Sequence, residues 1–367
     1  MSTETTAPPP LSAGCAAPSG VHDVALLDLD GVVYVGRDAV PRVPEALRAA
    51  RDAGMRLAYV TNNAARTPEE VAAHLCDLGI EARPEEVITS SQAAATVVGQ
   101  RLGADARVLA VGGPGVSAAA RAAGLTVVTG AHEAPDAVVQ GYGPDVGWAD
   151  LAEAVVAVRG GAVHVATNTD ATIPSPRGVL PGNGALVGVV STVTGRAPLV
   201  AGKPDPAMHA ECVRRTGARR PLVVGDRLDT DIEGSRRAGA DSLLVLSGVT
   251  TPATLLAAVP LHRPDLLSAD ASGVLTAHPP VLSEDGGRRC GRWLARVATD
   301  ELVLSAALDV PDLPDDAAGV PDDGLDALRA LCVAHWARHP EAGQPTTVRG
   351  SDDATWALVR GWGLASG

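Results

Sequence analysis

Two acidic clusters and one lysine carry the chemistry that this sequence can do. Asp28-Leu29-Asp30-Gly31 ends an apolar run, and Asp226-Arg227-Leu228-Asp229-Thr230-Asp231 ends another. Residues 28 and 30 lie on one side of an extended chain, because side chains alternate along a strand. Carboxylates placed so close repel unless a cation lies between them. A hard divalent ion with oxygen ligands answers that need, and magnesium is the usual choice near phosphate. Taken alone, the first cluster also fits a polar turn, and the second also fits helix capping by Asp229 or Asp231. Thr61-Asn62-Asn63 closes a third run and offers a hydroxyl, amides and backbone N–H groups that could cradle a phosphoryl oxygen. Lys203, in Gly202-Lys203-Pro204, stands out because the other 29 basic residues are all arginine. A compact ammonium differs from a planar guanidinium and can neutralise a phosphoryl oxygen as a point charge.

The elements that must position these groups alternate strand with helix. Residues 24–29, 57–60, 87–89, 222–224 and 242–246 read as short buried strands, with 264–267 as an edge strand. Residues 44–53 and 231–238 read as helices, and Thr67-Pro68-Glu69-Glu70 has the form of a capping box opening a helix that Gly79 closes. This pattern predicts an α/β fold, a doubly wound parallel sheet with helices on both faces. Ligands of such sheets bind at the carboxyl ends of strands, where all four motifs fall. Residues 107–111, 137–139 and 163–166 (strands), with 151–158 and 184–194 (helices), predict a second α/β domain inserted into the first. The expected division is a disordered tail over 1–20, a core from 21–101 and 200–277, a cap over 102–199, and an accessory region over 278–367. Four of the five tryptophans lie in that last region, whose residues 311–323 read as a Pro/Asp-rich loop.

Composition bounds the partners. A net charge of −13 without a basic run argues against nucleic acid. No apolar run reaches the roughly 18 residues of a membrane helix. The five cysteines are scattered and form no CxxC pair, which suits free thiols in a reducing cytoplasm. Gly112-Gly113-Pro114-Gly115 follows a strand, but it lacks the GxGxxG spacing of a dinucleotide site and reads as a tight turn. A non-catalytic phosphate-binding module is the remaining alternative to an enzyme.

Asp-x-Asp-Gly, Thr-Asn-Asn, Gly-Lys-Pro and Gly-Asp-Arg-Leu-Asp-Thr-Asp-Ile, in this order, resemble the four motifs of haloacid-dehalogenase (HAD) superfamily phosphatases. The insertion before Lys203 is similar to the α/β cap of the NagD-like branch, which includes 4-nitrophenyl-phosphatase-like and phosphoglycolate-phosphatase-like enzymes. The resemblance spans about residues 22–277. It implies a Rossmann-like core, Mg²⁺ as cofactor and a small phosphorylated metabolite as substrate. It implies Asp28 as nucleophile and Asp30 as acid and base. Thr61, Asn62, Asn63 and Lys203 would bind the phosphoryl group. Asp28, Asp226 and the Asp30 backbone carbonyl would hold the metal, with Asp231, and less directly Asp229, around it. Residues 168–184 are similar to the branch's substrate-specificity loop; some relatives carry a histidine near Ile173, and their phosphorylated-cofactor specificity is not expected here. Length, cap type and the extra carboxyl-terminal segment together resemble a subgroup from GC-rich bacteria acting on glycerol 3-phosphate. That subgroup's last region is likened to an acetyltransferase fold, but residues 286–291 do not match an acetyl-CoA loop. A packing role or homo-oligomer contact is expected for it.

Overall fold

The computed structural model describes residues 10–173, 175, 177–284, 286–298, 301–306 and 323–365. The chain forms two compact units, Met1–Leu57 with Arg220–Gly367, and Ala58–Arg219.

In the first unit, parallel strands Leu266–Ser268, Asp241–Val245, Pro221–Gly225 and Val24–Leu27 lie side by side in that order. Val24 to Leu27 are all buried, as expected of a strand covered on both faces. Leu27 pairs with Val224, and the Asp28 N–H still donates to the Val224 carbonyl at 2.9 Å. The register therefore brings Asp28 and Asp226 out at neighbouring strand ends.

The carboxyl-terminal region forms its own sheet in this unit. Leu282–Glu284, Gly287–Cys290, Trp293–Ala298 and Glu301–Ala306 make an antiparallel meander, and Val348–Gly350 runs parallel to the last strand. Residues Asp326 to Trp336 of the helix Asp326–Arg338 are all buried. A helix covered all round needs no polar face, and this one shows no apolar stripe. Its Leu328, Leu331 and Trp336 share one hydrophobic core with Cys290 and Trp293 of the meander and with Leu244, Leu255 and Leu267 of the parallel-sheet region. The accessory region thus packs into the core of its unit. Arg329 fixes that seam: its guanidinium donates to Asp323 at 2.7 Å, to Asp326 at 2.8 Å and to the carbonyl of Leu267 at 2.5 Å.

In the second unit, strands Leu199–Val200, Val163–Ala166, Ala137–Gln140, Arg107–Val111 and Thr126–Val128 form a parallel sheet in that order. Helices Trp148–Arg159 and Asn183–Thr194 contribute Ala154, Val158 and Val190 to a core with Leu109, Val111 and Val138. Within the same unit, Tyr59 to Thr61 pair in parallel with Val87 to Thr89. The capping box at Thr67 is formed, with Glu70 Oε2 accepting the Thr67 N–H at 2.8 Å.

Several expectations need correction. Of the tail expected over 1–20, residues 10–20 pack onto the fold: Leu11 is buried in the first unit's core, and Cys15 exchanges backbone hydrogen bonds with His278. A single apolar residue in a polar stretch gave too little signal. The loop expected over 311–323 lies outside the described residues apart from Asp323. The helix expected over 231–238 begins as a wide π turn, Leu228–Ile232, and becomes α-helical only over Glu233–Ala238. Gly112 to Gly115 close against other backbone, since a Cβ on Gly115 would strike the carbonyls of Ala64 and Arg66.

Replacing Arg329 by Met should destabilise the protein by about 3–5 kcal/mol, because a buried guanidinium that pairs with the buried Asp326 carboxylate is removed. Urea unfolding would show it; an unchanged midpoint would refute the seam. Burial pushes the His164 imidazole down to about 4, and its Nε2 lies 2.9 Å from Gln140 Oε1. Unfolded histidine titrates near 6.5, so the unfolded state binds the extra proton first, and stability present above that pH is lost as pH falls toward 4. The loss should reach up to about 3 kcal/mol. His164→Gln should flatten the pH dependence of Tm in that window; an unaltered slope would contradict the assignment.

Candidate active site

The structure brings Asp28, Asp226 and Asp231 together, each offering an oxygen that lies within 4.8 Å of the others. Asp226 and Asp231 are 1% exposed and Asp28 is half-buried. At such separations in a poorly hydrated site, three negative charges repel strongly. The surrounding backbone is built to hold them there. A Cβ at Gly31 or Gly248 would fall on the Asp226 carboxylate, and one at Gly225 would fall on the Asp231 side chain. Glycine is required at Gly31 also by its φ of +88°. The π turn swings Asp231 back so that its carboxylate accepts the Arg227 N–H at 3.2 Å; such turns recur at functional sites.

A segment that sequence reasoning passed over braces the cluster. After the strand Asp241–Val245, the Val249 N–H donates to Asp226 Oδ2 at 2.7 Å. The Thr250 hydroxyl donates to the Asp226 carbonyl at 2.6 Å, and the Ser247 hydroxyl to the Gly31 carbonyl at 2.7 Å. Ser-Gly-Val-Thr after a strand was the available signal, but it contains no charged residue to draw notice. The trio's ligating atoms are all oxygens, so these residues fit a hard divalent cation.

The other expected residues fall as follows. Asp30 lies in the tight turn where the Gly31 N–H donates to the Tyr34 carbonyl at 2.8 Å, and its carboxyl is not part of the trio. It remains solvent-accessible, yet partial burial raises its pKa, outweighing the lowering by the Gly36 and Gly31 N–H groups. Asp229 is 59% exposed and pairs with Arg227 at 2.8 Å. It stands apart from the trio because the π turn directs it outward.

In the second unit, Asn62 and Lys203 are joined by hydrogen bonds, and Thr61 ends the strand just before Asn62. Thr61 is buried, and its hydroxyl accepts the Asn63 N–H at 3.0 Å. The Asn62 side chain grips the backbone of Lys203 at both ends: Oδ1 accepts the Lys203 N–H at 2.8 Å, and Nδ2 donates to the Lys203 carbonyl at 3.1 Å. The Lys203 ammonium lies 3.4 Å from the Val60 carbonyl, to which it donates. Asn63 is exposed and turns its Oδ1 onto the Ala65 N–H at 2.9 Å. The second and third motifs, 141 residues apart, therefore meet through one amide.

Comparison with known proteins agrees with this chemistry. Residues 25–126 match the family model of haloacid dehalogenase-like hydrolases, residues 200–272 a HAD-hydrolase-like model, and residues 290–364 a GCN5-related N-acetyltransferase-like domain. The chain is 43% identical over 350 residues to D-glycerol 3-phosphate phosphatase of Mycobacterium tuberculosis, covering 94% of both. It is 41% identical over 228 residues to the acid sugar phosphatase of Staphylococcus haemolyticus, covering 62% of this chain and 86% of that one. Its structure superposes on glycerol phosphate phosphatase from M. tuberculosis in complex with magnesium with a TM-score of 0.82 at 39% identity, covering 95% of this chain and 99% of that one. It also superposes on 4-nitrophenylphosphatase from Thermotoga maritima with a TM-score of 0.65 at 30% identity, covering 70% and 97%. The motifs, the parallel sheets and a relative matched along almost its whole length lead to one assignment: the chain belongs to the haloacid-dehalogenase-like hydrolase family.

Proposed function

We propose that this chain is a magnesium-dependent phosphatase that hydrolyses a small phosphate monoester, glycerol 3-phosphate foremost, through an aspartyl-phosphate on Asp28. The observation that carries the reading is the acidic trio gathered beside the ends of two adjacent parallel strands, with glycines packed directly against the Asp226 and Asp231 side chains. The choice of ester rests on coverage. The M. tuberculosis glycerol 3-phosphate phosphatase matches 94% of the chain, including the accessory region, whereas the acid sugar phosphatase matches 62%.

In this reading the Asp28 carboxylate attacks phosphorus. Asp30 gives a proton to the departing alkoxide and then takes one from the water that cleaves the aspartyl-phosphate. Thr61 and Lys203 bind the phosphoryl oxygens, with Asn62 fixing Lys203 and Asn63 closing the turn. Asp28, Asp226 and the Asp30 carbonyl would hold Mg²⁺, with Asp231 orienting that set and Asp229 at most peripheral. Bound there, the ion supplies positive charge against the phosphoryl oxygens, which phosphoryl transfer needs more than any other aid.

We read the domain plan as a core interrupted by a cap and followed by an accessory region, a reading supported by family matches at 25–126, 200–272 and 290–364. The Gly-rich stretch at 286–291 carries no acetyl-CoA role in it, because Gly287–Cys290 is a β-strand paired on both sides. A cytoplasmic location is supported by five free cysteines. Among the described residues no helix is long and apolar enough to cross a membrane.

A panel of phosphate esters with Mg²⁺, compared by kcat/KM, tests the assignment. Glycerol 3-phosphate should exceed phosphoglycolate and 4-nitrophenyl phosphate by roughly tenfold or more, about 1.4 kcal/mol of transition-state preference. Asp28→Asn should remove at least ~10³-fold of kcat with the fold intact. Phosphate release that survives in Asp28→Asn, or none from any ester in the wild type, would refute it.

A further inference from the structure

We propose that Asn168 and Asn183 are positioning residues for phosphoryl transfer, acting through Asn62 on Thr61 and Lys203. The inference rests on the phosphatase reading above and deepens it.

Three asparagines of the second unit hydrogen-bond in series. Asn183, the first residue of the helix Asn183–Thr194, is 1% exposed, and its Nδ2 donates to the Asn168 carbonyl at 2.8 Å and to the Gln140 carbonyl at 3.3 Å. Asn168 is 4% exposed, and its Nδ2 donates to the Asn62 carbonyl at 2.8 Å. The Asn62 side chain then holds both backbone groups of Lys203 and also donates to Asp170 Oδ2 at 3.2 Å. Asn168 Oδ1 meanwhile accepts the Asp170 N–H at 3.1 Å.

The backbone acceptors in this series lie at or just beyond strand ends, and two of them take a second donor: the Gln140 carbonyl accepts the Thr167 N–H at 2.9 Å and the Asn62 carbonyl the Ser90 hydroxyl at 2.8 Å. Gln140 ends one strand, Asn168 follows Val163–Ala166, and Asn62 follows Thr61. The amides continue the ladder sideways and fix how far each strand end projects. Glycine again permits the approach: a Cβ on Gly202 would strike the Thr167 carbonyl and lie 2.6 Å from Asn62 Oδ1. A buried amide that spends its donors on a strand-end carbonyl and a loop carbonyl transmits displacement, because neither bond can be replaced by water without opening the site.

The arrangement ties two tasks together. By resemblance, residues 168–184 are expected to select the alcohol half of the ester, whereas Thr61 and Lys203 serve the phosphoryl half. Asn168 belongs to the first and bonds directly to the segment that carries the second. Its loss should therefore misplace phosphoryl ligands without removing any group that touches substrate, and an error of about 1 Å can cost 10²-fold in rate.

Steady-state kinetics of the full chain with Mg²⁺ and 4-nitrophenyl phosphate test this, with inhibition by vanadate (a mimic of the pentacoordinate transition state) and by inorganic phosphate. Asn168→Ala should lower kcat by roughly 10- to 100-fold with KM within about threefold. Vanadate inhibition should weaken in parallel with kcat, while phosphate inhibition changes little. Asn183→Ser, which keeps a donor, should lose less. In an Asn62→Ala background, which keeps the carbonyl that accepts from Asn168 but removes the grip on Lys203, the Asn168 effect should shrink by the part that passes through Lys203, since the two act along one series. Folded variants that keep kcat, or that raise KM alone, would overturn the proposal. So would unfolding of both variants, because the amides would then be structural. An inactive wild type would instead overturn the phosphatase reading itself.

Discussion

Three carboxylates with oxygens inside 4.8 Å of one another, two of them withdrawn from water, oppose the fold that contains them. Everything around them serves to keep them in place. Parallel register delivers Asp28 beside the strand that ends before Asp226. A π turn returns Asp231 to the same point, and three glycines remove the side chains that would keep the acids apart. The 247–250 segment then donates an N–H and a hydroxyl to Asp226. A strained electrostatic arrangement is kept when binding a cation more than offsets its cost, which links the local geometry to catalysis.

The accessory region bears on the same unit by packing. Leu267, on the edge strand of the parallel sheet, gives its side chain to a core shared with the carboxyl-terminal helix and its carbonyl to Arg329. The meander and its helix therefore cover apolar surface that the parallel-sheet region would otherwise expose. This explains, in physical terms, why a tryptophan-rich segment without a legible acyl-donor loop accompanies the catalytic motifs.

Legibility in the sequence followed how local each signal is. The strands at 107–111, 163–166 and 87–89 were readable to the residue because short apolar runs bounded by turns have few alternatives. The Thr67 capping box was readable for the same reason. The four motifs were readable as chemistry, and their resemblance to HAD phosphatases named the family. Other features were not. The helix Ser90–Leu102 is rich in Ala and Ser and lacks an apolar stripe, although Thr89 and Gln92 form a capping box that could have marked it. Ser247, Val249 and Thr250 bear on Asp226 through backbone and hydroxyl groups, and Asn168 and Asn183 act through amides on distant carbonyls. Such contacts depend on three-dimensional register, which local spacing does not encode. Asp229 was expected to serve the metal less directly than Asp226 and Asp231, and the turn type places it apart from the trio, paired with Arg227.

Manganese substitutes for magnesium in oxygen-rich sites and scatters anomalously, so diffraction from crystals of the full chain grown with Mn²⁺ would locate the ion directly. The account predicts one strong anomalous peak per chain, at ligating distance from carboxylate oxygens of Asp28 and Asp226, and its loss in Asp226→Asn. A peak elsewhere, or none at Mn²⁺ concentrations that support ester hydrolysis, would contradict it.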